Sequence, residues 1–522
     1  MNNVYFLLLF LLSILTSIHH LADASLHVKY LPGLEGPLPF ELETGYVSVG
    51  ETGDVELFYY FVKSERNPQK DPLMIWLTGG PGCSSICGLL FANGPLAFKG
   101  DEYNGTLPPL ELTSFSWTKV ANILYLESPA GSGYSYAKTR RAAETSDTKQ
   151  IHQIDQFLRS WFVDHPEFIS NPFYVGGDSY SGKIVPGVVQ QISLGNEKGL
   201  TPLINIQQGY VLGNPAARTN LESNHRVTFA HRMGLISDEL HESLDSNCGG
   251  KFFNVDPSNA KCSNGLQAYH QCISEIYIEQ ILLPNCKVDY VLPDISQNLP
   301  NIRTSRRELK EFSGNDPSSL PPPNCFVRIS LFGFFFFVIE SLFLIILYID
   351  RTYRYFLSAF WANDENVRRA LGVKKGFEKW SRCNTQNIPY KYDIHNAIPY
   401  HVNNSRKGGD HDMMVPFSST EAWIKSLNYS IVDDWRPWMM TSNQVAGYTR
   451  TYANKMTFVT IKARTSKPFR YLSSLEFLLR EEDTPLSIIQ TNAHLCSKDG
   501  LMENLFEDSQ SLFSLTQKFH AL

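Results

Sequence analysis

The chain has 522 residues, 43% of them hydrophobic, with 46 basic and 52 acidic side chains, a net charge of −6 and a pI near 6.2. That balance excludes a nucleic-acid footprint and fits a globular protein with a sizeable core. No Cys/His cluster has metal-ligand spacing, so neither a metal nor another cofactor is expected.

Residues 1–24 hold an apolar run from Val4 to Ile18 and then the small-residue site Ala22-Asp23-Ala24. They read as a secretory signal peptide. A membrane anchor is the alternative, less suited to so short a run, and the missing basic n-region counts against cleavage. Nine cysteines in a secreted chain imply disulfides plus at least one unpaired thiol. Asn104, Asn403 and Asn428 head sequons for N-glycans. The remaining roughly 500 residues suit one α/β core carrying a large insertion.

Val55 to Val62 reads as a strand, and Pro72 to Leu77 as a second. The second is nearly all apolar, as in a sheet buried on both faces. Thr78-Gly79-Gly80-Pro81-Gly82-Cys83 follows it. This loop lacks the lysine of a phosphate-binding loop, and the better reading is an oxyanion donor, a backbone N–H near Gly80. Asn122 to Glu127 is a third strand. Ile151, Ile154, Leu158, Trp161 and Phe162 recur at helical spacing and predict a helix from Thr148 to Val163, with Ser146 or Asp147 as its N-cap.

Phe173-Tyr174-Val175 then leads into Gly177-Asp178-Ser179-Tyr180-Ser181-Gly182. A serine between glycines after a strand is the pattern of a nucleophile elbow. The sharp turn lifts the serine oxygen over the sheet end and leaves the next N–H, that of Tyr180, free for an oxyanion. Ser181 stands where the generic pattern has glycine, and Gly182 follows it. With a further strand ending at Gly209 to Asn214, the order of elements predicts an open α/β sheet with right-handed crossovers.

Four segments together resemble the serine carboxypeptidase family, and within it the plant serine carboxypeptidase-like proteins that include glucose-ester acyltransferases. They are Trp76 to Ser85, Glu127-Ser128-Pro129-Ala130-Gly131-Ser132-Gly133, Gly177 to Gly182, and Gly409-Asp410-His411-Asp412-Met413-Met414-Val415-Pro416. The likeness runs from about Val28 to Lys462. It implies an α/β-hydrolase fold with a disulfide-tied cap insertion. The core would comprise residues 25–214 and 361–462, the cap region 215–360, and an atypical tail 463–522. By motif position Ser179 becomes the nucleophile and Asp412 the triad acid, with Gly80 and Tyr180 as oxyanion donors, in the chain order Ser, Asp, His of such hydrolases. The resemblance also implies the disulfides Cys83–Cys383, Cys248–Cys262 and Cys286–Cys325, leaving Cys87, Cys272 and Cys496.

Thr78, Gly79 and Asp178 are the implied substrate-binding positions. Hydrolytic members resemble one another in an Asn before the Gly-Gly and a Glu before the serine, which hold a peptide's terminal carboxylate. Here Thr78 and Asp178 stand there, which weakens a site built on short, aligned hydrogen bonds. The same residues resemble the acyltransferase branch. The partners implied are therefore an acyl-glucose donor and an acceptor, with a peptide C-terminus as the alternative. No nucleic acid and no membrane is expected, and the location implied is the secretory pathway, extracellular or vacuolar.

Three departures from the family pattern stand beside these matches. Val327 to Ile349 is a run of Phe, Leu and Ile interrupted by Arg328 and Glu340, and it is long enough to span a bilayer. A span there would put Ser179 and Asp412 on opposite sides, so residues 327–351 read instead as an aberrant insert such as a translated intron leaves, with an exposed hydrophobic loop or a real membrane segment as the alternative. The run of some seven apolar residues expected before Gly409-Asp410 is absent. After the strand Met456 to Lys462, taken as the last, the family's Gly-Gly-Gly-His is replaced by Ala463-Arg464-Thr465-Ser466. His411, His494 and His520 lie in contexts unlike that of the base. Without an imidazole the chain as written is expected to be inactive and poorly folded. The alternatives are then an acyl-serine enzyme recorded through a faulty gene model and a catalytically dead family member.

Overall fold

The computed structural model describes residues 25–206, 209–278, 281, 350–403, 417–439, 445–453, 456–461 and 486–490. Asp412, the Cys286–Cys325 pairing, the signal-peptide segment and residues 327–349 of the hydrophobic insert lie outside the described residues.

Eleven strands make the path of the main sheet. They are β1 (Leu26–Val28), β2 (Leu42–Val49), β3 (Val55–Val62), β4 (Leu73–Leu77), β5 (Asn122–Leu126), β6 (Phe173–Asp178), β7 (Tyr210–Gly213), β8 (Ile431–Met439), β9 (Val445–Tyr452), β10 (Met456–Ile461) and β11 (Leu486–Gln490). Their spatial order is β1-β2-β3-β5-β4-β6-β7-β11-β10-β9-β8, and a short strand, Tyr136–Ala137, pairs with β3. The six central strands, β5 through β10 in that order, run parallel. The outer ones are antiparallel.

Every residue of β4 and β5 is buried, which explains the unbroken apolar sequence of β4 and the apolar run from Ile123 to Leu126 in β5. On one face lie α1 (Asp147–Asp164) and α2 (Ser181–Glu197), which bury Ile154, Leu158, Val185 and Val188 against Leu57, Ile75, Leu124 and Val175. The two helices approach closely at Gly187, where a Cβ would lie 2.3 Å from Ile151 Cδ1. Ser146 is the N-cap of α1, its side chain accepting from the Lys149 N–H at 3.2 Å. The other face packs Phe58, Tyr60, Trp76 and Tyr125 together with Leu357 and Trp361.

Three helices of the inserted region, α3 (Leu221–Arg232), α4 (Asp238–Cys248) and α5 (Ala260–Cys272), enclose a separate small core around Val227, Phe229, Leu244 and Tyr269. The disulfide Cys248–Cys262 ties α4 to α5. Leu357 and Trp361 belong to α6 (Asp350–Asn363), so this helix packs into the main core, ahead of the boundary expected at residue 361.

One expectation needs correction. The strand Met456 to Ile461 is not the last, because β11, drawn from the tail, lies between β7 and β10 and pairs parallel with both. Leu486-Ser487-Ile488-Ile489-Gln490 is a short apolar run with β-branched residues, enough for a strand, but periodicity cannot tell where a strand docks.

Candidate active site

The elbow forms where β6 meets α2. Ser179 takes φ 53, the left-handed region that an L-residue enters only when its surroundings hold it there. Its N–H donates to the Gly213 carbonyl at 2.9 Å, and its carbonyl accepts from the Ala216 and Gly182 N–H groups at 2.9 and 3.0 Å. Three bonds thus fix one residue's backbone.

The neighbouring glycines are required by contact. A Cβ on Gly177 would lie 2.6 Å from the Leu77 carbonyl oxygen and 2.7 Å from Ser181 Cβ. One on Gly182 would lie 2.6 Å from both the Ala216 oxygen and Pro215 Cβ. Ser181, the departure from the generic pattern, is buried and its hydroxyl donates to the Leu77 carbonyl at 2.8 Å, tying the turn to the end of β4.

The glycine-rich loop lies directly against this turn. A Cβ on Gly79 would sit 2.8 Å from Ser179 Cβ and 2.9 Å from the Tyr180 nitrogen, so only glycine fits between them. Gly80 follows at φ +119, with a cis bond to Pro81. Cys83, four residues on from Gly79, is joined to Cys383 by a disulfide.

Behind the loop, Glu127 is fully buried. Its carboxylate accepts from the Ser84 hydroxyl at 2.7 Å, the Ser85 N–H at 2.7 Å and the Tyr60 hydroxyl at 3.1 Å. Burial pushes its carboxyl up to about 7, against the pull of those donors. Nearby, the buried Cys87 thiol is pushed up to about 11 by burial, which makes it a poor nucleophile. Of the positions expected to bind substrate, Asp178 is half-buried. The Thr78 hydroxyl is buried and has no hydrogen-bond partner among the described residues.

No hydrogen bond joins a histidine to Ser179 among the described residues. His401, in α7 (Ile398–Asn403), is fully buried near the start of α2, but both its ring nitrogens are engaged. Pro186 inside α2 has no N–H, so the Gly182 carbonyl lacks its usual helical donor. His401 Nε2 supplies one at 3.0 Å. A carbonyl only accepts, so Nε2 carries the proton, and Nδ1 accepts from the Tyr210 hydroxyl at 2.8 Å. His401 thus completes a helix.

Sequence reasoning missed a further residue, Asp147. It is fully buried at the first position of α1 and accepts from the Tyr180 and Tyr390 hydroxyls and the Ile394 N–H. A carboxylate at a helix start reads in sequence as an ordinary cap, so no local signal could have singled it out.

A serine raised on a strand-to-helix elbow at the C-terminal edge of a parallel sheet, with a glycine loop against it, defines the α/β-hydrolase class. A family model described as "Serine carboxypeptidase" matches residues 32–465. The chain belongs to the serine carboxypeptidase family, and by family it is a serine carboxypeptidase-like hydrolase. It is 77% identical over 470 residues to serine carboxypeptidase-like 19 of Arabidopsis thaliana, covering 88% of this chain and 94% of that protein. It is 50% identical over 461 residues to serine carboxypeptidase-like 12 of the same plant, covering 87% and 92%. Among solved structures it resembles Kex1(delta)p, a prohormone-processing carboxypeptidase from Saccharomyces cerevisiae, with TM-score 0.61 at 17% identity over 88% of this chain and 95% of that one. That likeness bears on the fold alone.

Proposed function

We propose that the site works through an acyl-serine on Ser179 and moves an acyl group from a glucose ester to an acceptor, rather than releasing amino acids from a peptide C-terminus. The observation that carries the first half is the backbone of Ser179, held at φ 53 with Gly79 packed against it. In the proposed reaction the Ser179 oxygen attacks the ester carbonyl, and the N–H groups of Gly80 and Tyr180 receive the oxyanion. Glucose leaves, and the acceptor then takes the acyl group and frees the serine. Asp412 is the proposed acid of this site.

Support for the second half comes from Thr78 and Asp178. A threonine hydroxyl in place of an amide, without a partner among the described residues, and a shortened acid are a poor match for a carboxylate. The general base is missing from the proposed site, because Ala463 to Ser466 stand where the resemblance calls for it. Loss of one triad member costs on the order of 10⁴ to 10⁶ in kcat, so this chain is proposed to be inactive on the timescale of an ordinary assay. Passage through the secretory pathway, to the vacuole or the cell exterior, fits the two disulfides and the exposed sequon residues Asn104 and Asn428. The Asn403 sequon and cleavage of residues 1–24 belong to the same proposal.

The test is a long incubation of the purified chain with a 1-O-acyl-glucose and an alcohol acceptor, in parallel with a blocked dipeptide. Product is compared with that of Ser179→Ala. Ser179-dependent acyl transfer without amino-acid release supports the reading. Release of C-terminal amino acids with no use of acyl-glucose overturns it.

A further inference from the structure

We infer that Asp147 is a positioning residue for the oxyanion donor Tyr180. The inference rests on the acyl-serine reading of Ser179.

Asp147 is not needed to cap its own helix, since Ser146 does that. Its buried carboxylate instead gathers three donors from two other segments. The Tyr180 hydroxyl lies 2.7 Å and the Tyr390 hydroxyl 2.8 Å from Oδ1, and the Ile394 N–H lies 2.7 Å from Oδ2. The segment bearing Tyr390 is itself held to the start of α1, because Tyr390–Lys391 pairs with Thr145–Ser146.

Tyr180 is the residue after the nucleophile. It precedes the first residue of α2, so its N–H has no carbonyl one turn earlier in the helix to bond. That N–H is the proposed donor to the developing oxyanion, and its direction is set by the peptide plane between Ser179 and Tyr180. That plane hangs between two Cα atoms, one held by the bonds to the Ser179 backbone and the other by the anchored Tyr180 ring.

The ring is held at both ends. Its hydroxyl is fixed on Asp147. Its sides meet Tyr390 and Tyr392 edge-on at 6.3 and 5.9 Å, and Lys183 Nζ lies 4.9 Å from its centroid. Oxyanion donors act because they are aimed before charge develops, and a donor free to swing loses part of that effect. A charge-assisted bond from phenol to carboxylate is among the stronger ways to prevent the swing. Asp147 thus acts on the reaction through Tyr180 without touching substrate.

The test uses the full chain and p-nitrophenyl acetate in long incubations, with Ser179→Ala as background. It compares Asp147→Asn, Tyr180→Phe and the double variant. Each single change should lower Ser179-dependent kcat about tenfold, a fraction of what loss of a whole donor costs, and leave KM within about twofold. The double variant should be no slower than Asp147→Asn alone, since the bond to Tyr180 is already lost or weakened there. Tyr180→Phe removes a single oxygen and keeps the ring, so it decides the matter should Asp147→Asn not fold. An unchanged kcat in folded Tyr180→Phe overturns the inference, as does a fall confined to KM or to thermal stability. If the missing base leaves no turnover above Ser179→Ala, the same variants are compared by the rate of fluorophosphonate modification of Ser179, where equal rates overturn this inference and no modification at all overturns the acyl-serine reading first.

Discussion

Gly182 and Ser181 divide the work of the elbow between them. Gly182 is needed because backbone and ring atoms of Pro215 and Ala216 lie within 2.8 Å of where a Cβ would be, and neither can move aside as a flexible side chain would. Ser181 contributes one hydrogen bond to the Leu77 carbonyl. Gly182→Ala should therefore cost about 1–3 kcal/mol as overpacking. Ser181→Ala should cost about 1 kcal/mol as one lost bond. Urea unfolding of both variants checks the order, and a larger loss in Ser181→Ala would contradict this account of the turn. The elbow was legible in sequence because a close approach leaves glycine at fixed spacing. Asp147 and Glu127 were not, since each gathers donors from distant parts of the chain and a lone carboxylate carries no mark of that.

The elements before the elbow were equally legible, because all-apolar strands and a helix with a clear period announce themselves. β3 spans Val55–Val62 as expected, and α1 differs from its expected range by one residue at each end. The far half of the sheet was harder to read. β11 carries only five residues, yet it bridges β7 and β10, the junction between the half of the sheet before the cap and the half after it. Both its neighbours use its backbone, so Ile488→Pro removes a ladder donor in a central strand, and the new ring also crowds the pairing. The expected result is a loss of about 3 kcal/mol or more, seen as a lower thermal midpoint. An unchanged midpoint would show that the tail is not part of the sheet.

At the scale of the molecule, two buried groups tie stability to acid pH. His165 Nδ1 faces the Trp161 carbonyl at 3.0 Å and Nε2 faces Glu43 Oε1 at 2.9 Å. Both partners are acceptors, so both nitrogens carry protons. The ring also stacks on Trp161 at 4.1 Å, a placement that favours the cation. Burial works against the charge, but the hydrogen bond and charge of Glu43 outweigh it and hold His165 above its ordinary 6.5. Its contribution is complete below 6.5 and is lost as pH rises through the raised value. Glu127 acts in the same sense, keeping its proton to about 7 in the fold against 4.5 when unfolded, so stability falls between those values. His225, held below 6.5 by burial and then by Arg232, works the other way. A comparison with His165→Gln isolates the contribution of His165. Its melting temperature should fall less between pH 5.5 and 8 than that of the unsubstituted chain, and equal slopes would contradict the assignment. We propose that the chain keeps the elbow and oxyanion loop of an acyl-serine enzyme but lacks the imidazole that activates the serine. The most direct test is the rate at which a fluorophosphonate modifies Ser179 here and the matching serine of the relative that is 77% identical, with His494→Ala alongside. The expected rate here is lower by about 10⁴ or more and unchanged by His494→Ala. Comparable rates in the two proteins, or a further fall on losing His494, would show that the chain has a base after all.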